Sequence, residues 1–202
     1  MNKLTKIIII IAVVIIAIIA VIAIVVTKQN SKETTNLPEI NGQEDLENLV
    51  NQVYENADQE LYNTITMPID LSDANSVKSF TGLDNGDSLE YAVVSEPMIN
   101  AQAYSLVVAK VKDGVNANEV AKTMSENVDT RKWICVSAEK LYATNSGNVV
   151  FLIMTNEEMA TSVYNSFKTI AGTVGKEYEK TAQEDGLPSD TIEPGILQVP
   201  VN

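Results

Sequence analysis

A run of twenty residues, Ile7 to Val26, is drawn only from isoleucine, valine and alanine. At about 1.5 Å per residue, a helix of that length spans about 30 Å, the thickness of a bilayer's hydrocarbon core. Helices in water-soluble cores are rarely apolar on every side over such a length. A cleaved signal peptide is the competing reading. Its apolar region usually runs about 7–15 residues and ends at a small-x-small site. Here the run is longer and leads into Val25-Val26-Thr27-Lys28, a poor cleavage site. The segment is therefore expected to be an uncleaved transmembrane anchor, with the lipid bilayer as its partner. Lys3 and Lys6 lie before it and Lys28 and Lys32 after it, so charge alone leaves the orientation undecided. A short basic N-terminus before a long apolar run fits a single-pass signal anchor with an extracytoplasmic C-terminal domain.

The remainder is acidic. Beyond the run lie 12 basic and all 27 acidic residues, a net −15. Such a domain repels phosphate backbones, which excludes nucleic acid as a partner. Anionic lipid headgroups are disfavoured for the same reason. The chain has no histidine, which removes Ser-His-Asp and Cys-His catalysis and the common histidine zinc sites. Its single cysteine, Cys135, lies in the apolar stretch Trp133-Ile134-Cys135-Val136 and is expected to be a buried structural thiol. No metal and no cofactor is expected.

Composition divides the chain into a short tail over 1–6, the anchor over 7–26, a polar flexible stalk over 27–43, a domain over 44–171 and a polar, largely disordered tail over 172–202. In the domain, Leu46, Leu49, Val50, Val53, Ala57 and Leu61 recur at helical spacing. Thr64 to Gly86 reads as turns with one short helix. Leu89 to Ser95 and Ala101 to Lys112 read as strands. Asn116 or Asn118 caps a helix with Val120, Ala121, Met124 and Val128 on its apolar face. Leu141 to Thr144 and Val149 to Thr155 form a hairpin, and a last helix from Asn156 buries Met159, Ala160, Val163, Tyr164, Phe167 and Ile170 before Gly172. A further helical turn is expected over Lys176 to Ala182. The order helix, then strand-strand-helix twice, predicts an α+β fold: a mainly antiparallel four-stranded sheet with helices packed on one face.

Three groupings bear on chemistry. Asp84-Asn85-Gly86-Asp87 with Glu90 has the composition of a calcium loop but the wrong spacing, and reads as a solvated turn. Asp70 and Asp73 form an acid–base pair only if burial separates their pKa values. With Ser72, Asn75 and Ser76 nearby, a helix cap is the better account. Pro97-Met98-Ile99-Asn100-Ala101-Gln102, joined in space by Arg131 and Trp133, combines amides, an arginine and an aromatic. From it Met98, Asn100, Gln102, Arg131 and Trp133 are candidate binding residues. The bland alternative is a strand connection.

Gly82-Leu83-Asp84, Glu90-Tyr91-Ala92-Val93-Val94, Met98-Ile99-Asn100-Ala101-Gln102-Ala103 and Val107-Val108-Ala109-Lys110-Val111-Lys112-Asp113 resemble a family of Gram-positive envelope proteins, known as domain of unknown function 4358. The helix with Arg131 and the strand Gly147-Asn148-Val149-Val150-Phe151 fit its later part. The resemblance covers about residues 44–171. It implies a small exported domain held by a lipidated cysteine or a membrane helix; no cysteine follows the apolar run here. It carries over no functional residue. The sequence thus predicts a non-catalytic interaction or ligand-binding module of the cell envelope, with an envelope protein as partner. The alternatives are a carboxylate-dependent envelope enzyme and a structural assembly or tethering factor.

Overall fold

The computed structural model describes residues 35–59, 62–98 and 102–181. The expected anchor Ile7–Val26 lies outside them, as does Gln183–Asn202. No helix among the described residues is long and apolar enough to cross a membrane.

These residues form four helices, α1 (Gln43–Glu55), α2 (Ala74–Thr81), α3 (Ala117–Asn127) and α4 (Glu157–Ala171), and six strands, β1 (Thr64–Pro68), β2 (Leu89–Pro97), β3 (Ser105–Val111), β4 (Lys140–Ser146), β5 (Val149–Thr155) and β6 (Tyr178–Thr181). The strands make one antiparallel sheet in the order β1-β2-β3-β5-β4-β6.

Helices α2, α3 and α4 start where side-chain oxygens meet free amides. Asp73 Oδ1 accepts from Asn75 N, Asn116 Oδ1 from Asn118 N and Glu119 N, and Asn156 Oδ1 from Met159 N. These three stop at residues that leave helical geometry. Gly82 is left-handed at φ 73, and a Cβ there would fall on the backbone of Val128. That contact clamps the end of α2 to the end of α3.

The α+β class stands, but the four-stranded sheet with one covered face does not. β5 is buried along its whole length and β3 nearly so. Alternation sends Val93, Leu106, Val108, Phe151 and Ile153 to a core with α1 and α4. Ala92, Val94, Val107, Val150, Leu152 and Met154 go to a second core with α2 and α3. Both faces are apolar, so both need helices, giving three layers. Within the α1/α4 core Phe151 stacks on Phe167, with ring centroids 4.3 Å apart.

The two strands missing from the sequence reading are the sheet edges. β1 carries Pro68, which reads as a turn; an edge strand accepts a proline whose nitrogen faces outward. β6 is Tyr178-Glu179-Lys180-Thr181, whose composition does not single out a strand and which lies where a helical turn was expected. It is a strand because β4 offers a ladder, pairing Lys140 to Ala143 with Thr181 to Tyr178. The polar tail from 172 is therefore part of the sheet as far as Thr181.

Part of the expected stalk is also built into the domain. Leu37 and Ile40 are buried in the α1/α4 core. Asn36 N donates to Ala171 O at 2.9 Å, and Lys110 Nζ donates to Ile40 O at 2.8 Å. Ser146 Oγ donates to Thr35 Oγ1 at 2.7 Å. Polar composition hid two apolar side chains with the right spacing to reach the core.

Ile40→Ala is expected to lower unfolding stability by about 2–4 kcal/mol, as for a core truncation. Chemical denaturation of the chain checks it; a free stalk would show no change.

Candidate functional site

One end of the sheet carries the β4–β5 turn, the start of β2 and the finish of β3. The opposite end carries Thr64, Pro97, Ser105, Lys140 and Thr155. The candidate site is at this second end. Tyr62, Asn63, Pro97, Met98 and Gln102 line an open pocket of 440 Å³. None of the five carries a charge. Asn63 O accepts from Met98 N at 3.4 Å, which ties the two sides of the pocket together. Met98 is 71% exposed.

Behind the pocket stands a group of tyrosines on the α1/α4 side. The Tyr62 ring meets Tyr104 edge-on, centroids 5.8 Å apart, and Tyr104 faces Tyr54 at 6.5 Å. Tyr104 Oη donates to Tyr54 Oη at 2.9 Å, and Asn156 Nδ2 donates to Tyr62 Oη at 3.2 Å. Burial raises the pKa of Tyr54, and raises that of Tyr104 much further. Both therefore stay protonated at neutral pH and serve as hydrogen-bonding groups.

The candidates from sequence are split by this geometry. Met98 and Gln102 line the pocket, whereas Asn100 lies outside the described residues. Arg131 is exposed, its amide held by Asp129 Oδ1 at 2.9 Å, and does not line the pocket. Trp133 packs against the α2/α3 core, on the other face of the sheet from the tyrosines. The residue between them has the stronger contacts. Lys132 Nζ lies 2.6 Å from Glu96 Oε1 and donates to Ser105 Oγ at 3.1 Å, with the Phe80 and Trp133 rings 4.9 and 5.3 Å from it.

Lys132 beside Ser105 has the outline of a Ser-Lys pair, and the surroundings argue against that use. Burial lowers the lysine pKa, while Glu96 at contact distance works to keep it charged. Ser105 is fully buried and has no open path to a substrate. The grouping reads as an ion pair that pins the segment after α3 to the sheet. Two other expectations change here. Cys135 is exposed, at φ 64, instead of buried. The apolar letters around it are not all core, since Ile134 is 79% exposed.

The carboxylates considered for chemistry are all on the surface. Asp73 caps α2. Asp70 Oδ1 accepts from Ser72 Oγ and N, and these bonds lower its pKa. Asp84 pairs with Lys78 at 2.9 Å, Asn85 Oδ1 accepts from Asp87 N, and Glu90 pairs with Lys110 at 2.9 Å. The burial that separates carboxylate pKa values is missing at Asp70, Asp73, Asp84 and Asp87.

Sequence reasoning missed Tyr54, Tyr62, Asn63 and Tyr104. They come from α1, the chain before β1 and the residue before β3, and no spacing along the chain connects them. Comparison with protein families, curated proteins and solved structures finds no match to this chain.

The buried tyrosines also give the fold a pH dependence on the alkaline side. An unfolded tyrosine ionises near 10.0, and burial holds Tyr54, Tyr104 and Tyr164 above that value. Their contribution is complete below pH 10 and is lost as pH rises past it, because the unfolded chain then releases protons that the folded chain keeps. Lys132, whose pKa is lowered, acts in the opposite sense up to 10.5. Denaturation midpoints across about pH 8–11 are expected to fall less steeply in Tyr104→Phe than in the parent chain.

Proposed function

We propose that this chain is a membrane-tethered, non-catalytic binding module of the cell envelope, and that its tyrosine-backed pocket is the binding site. The observation that carries the reading is the pocket itself. It is open, uncharged and lined by Tyr62, Pro97 and Met98, with the Asn63 and Gln102 amides as its polar groups. A few orienting polar groups in an apolar lining are what a recognition site uses.

The tether supports the same reading. The run Ile7–Val26 is long enough to cross a bilayer, and the resemblance to domain of unknown function 4358 fits an exported domain. The described chain enters at Thr35, beside Ser146 and Gly147 of the β4–β5 turn. The pocket is at the other end of strands of seven residues or more, roughly 20 Å away at about 3.3 Å per residue. Residues 27–34 add at most about 29 Å of reach at 3.6 Å each. A domain held this way presents the pocket away from the bilayer, toward other envelope components.

A photoreactive residue in place of Met98, in the full chain and in its own cells, is expected to give a discrete adduct on irradiation. The same residue in place of Asn148, at the turn end, is expected to give none, and Tyr62→Ala is expected to remove the adduct. Equal labelling at both positions counts against the pocket. Protease added to intact cells is expected to remove the domain; full protection counts against the exported orientation.

A further inference from the structure

The pocket is continuous with a sheet edge. Tyr62 and Asn63 lead directly into β1, which among the described residues pairs only with β2. Met98 N bonds Asn63 O and Ile69 N bonds Ala92 O, so the odd-numbered residues of β1 make the ladder to β2. Thr64, Thr66 and Pro68 therefore turn their backbone groups outward. Pro68 has no N–H, which leaves Thr64 and Thr66 as the outward donors of the strand. On the α2/α3 side of this edge, Ile65 and Met67 are exposed at 44% and 41%.

Natural proteins commonly protect an edge strand with charge, above all lysine, or with proline, and here Pro68 guards one end of β1. This chain has a net charge of −13, yet Tyr62 to Ile69 contains no charged residue. Acidic residues stand at both ends instead. Exposed Asp70 and Asp73 follow Pro68. Exposed Glu55 and Asp58 follow Tyr54, whose ring belongs to the same cluster as Tyr62.

We propose that β1 is a strand-addition site for an extended peptide segment of a partner protein, with an uncharged core and basic flanks. The peptide's main chain bonds Thr64 and Thr66, its side chains on one face cover Ile65 and Met67, and an apolar side chain enters the pocket beside Met98. Main-chain bonds supply general affinity and the pocket supplies selectivity, as in other strand additions. The proposal rests on the pocket reading above and adds the chemistry of the partner. A second copy of this chain is the poorer occupant. A two-fold antiparallel pair of β1 strands reverses one domain, whose residues 27–34 would have to spend about 20 Å of their roughly 29 Å reach running back along it to enter the same membrane. A two-fold parallel pair sets N–H against N–H. Two acidic edges also repel.

The test uses the full chain in nanodiscs and the synthetic peptide KKVTVTVKK. Binding is expected to slow amide exchange at Thr64 and Thr66. Thr66→Pro, which removes an outward donor only, and a peptide N-methylated at alternate residues are each expected to weaken binding about tenfold, the loss of one to two hydrogen bonds. The acidic-flanked peptide EEVTVTVEE is expected to bind more weakly still, and added salt to narrow the gap between the two peptides. Met98→Asp checks the pocket arm without touching the ladder. Peptide binding that depends on Met98 but leaves Thr64 and Thr66 exchange unchanged overturns strand addition and leaves the pocket standing. No binding of KKVTVTVKK overturns the proposal. Concentration-dependent protection of the same amides without peptide assigns the edge to a second copy and also overturns it.

Discussion

The arrangement depends on burying β3 and β5 from both sides. These two strands are apolar on alternate and intervening positions alike, so neither face can meet water. One helix layer satisfies half of that requirement. The second layer, α2 with α3, follows from the same constraint, as does the clamp in which the end of α2 lies against Val128. Once both layers are present, the sheet grows outward to strands that are less apolar, and it ends at β1 and β6.

Two buried polar groupings have a structural role. Lys132, Glu96 and Ser105 form a pinned group between two aromatic rings, and Ser166 Oγ donates to Val53 O at 2.7 Å. Breaking such a group exposes a buried charge or donor, so its cost is mostly structural. At the β1 end the pattern reverses. Met98, Ile65 and Met67 are exposed beside the half-buried Tyr62, and the outer edge of β1 has no partner strand among the described residues. Apolar surface and main-chain donors left together are what an extended ligand needs.

Much of the interior was legible in the sequence. The helix caps at Asp73, Asn116 and Asn156, the stop at Gly172 and the buried stripes of α3 and α4 follow from local rules, because each depends on residues three or four apart. The edges were not. Pro68 argued against a strand, and Tyr178-Glu179-Lys180-Thr181 reads equally well as a helical turn; pairing with β2 and with β4 decided both. Leu37 and Ile40 were hidden by the polar residues around them. Cys135 and Ile134 went the other way, being apolar in sequence and exposed in space, since the segment after α3 is held by its neighbour Lys132 instead of by its own burial.

The sequence by itself determined the local periods, the caps, the charge balance, the absence of histidine and the apolar run Ile7–Val26, all of which are properties of composition and near-neighbour spacing. Tertiary structure alone decided that helices cover both faces and that β1 and β6 join the sheet. It also set Arg131 and Trp133 apart from Met98 and Gln102. The pocket itself needed the fold most. Tyr54, Tyr62, Tyr104 and Asn156 come from distant parts of the chain, and only the packing of α1 and α4 against the end of the sheet brings their hydroxyl and amide groups within hydrogen-bonding reach.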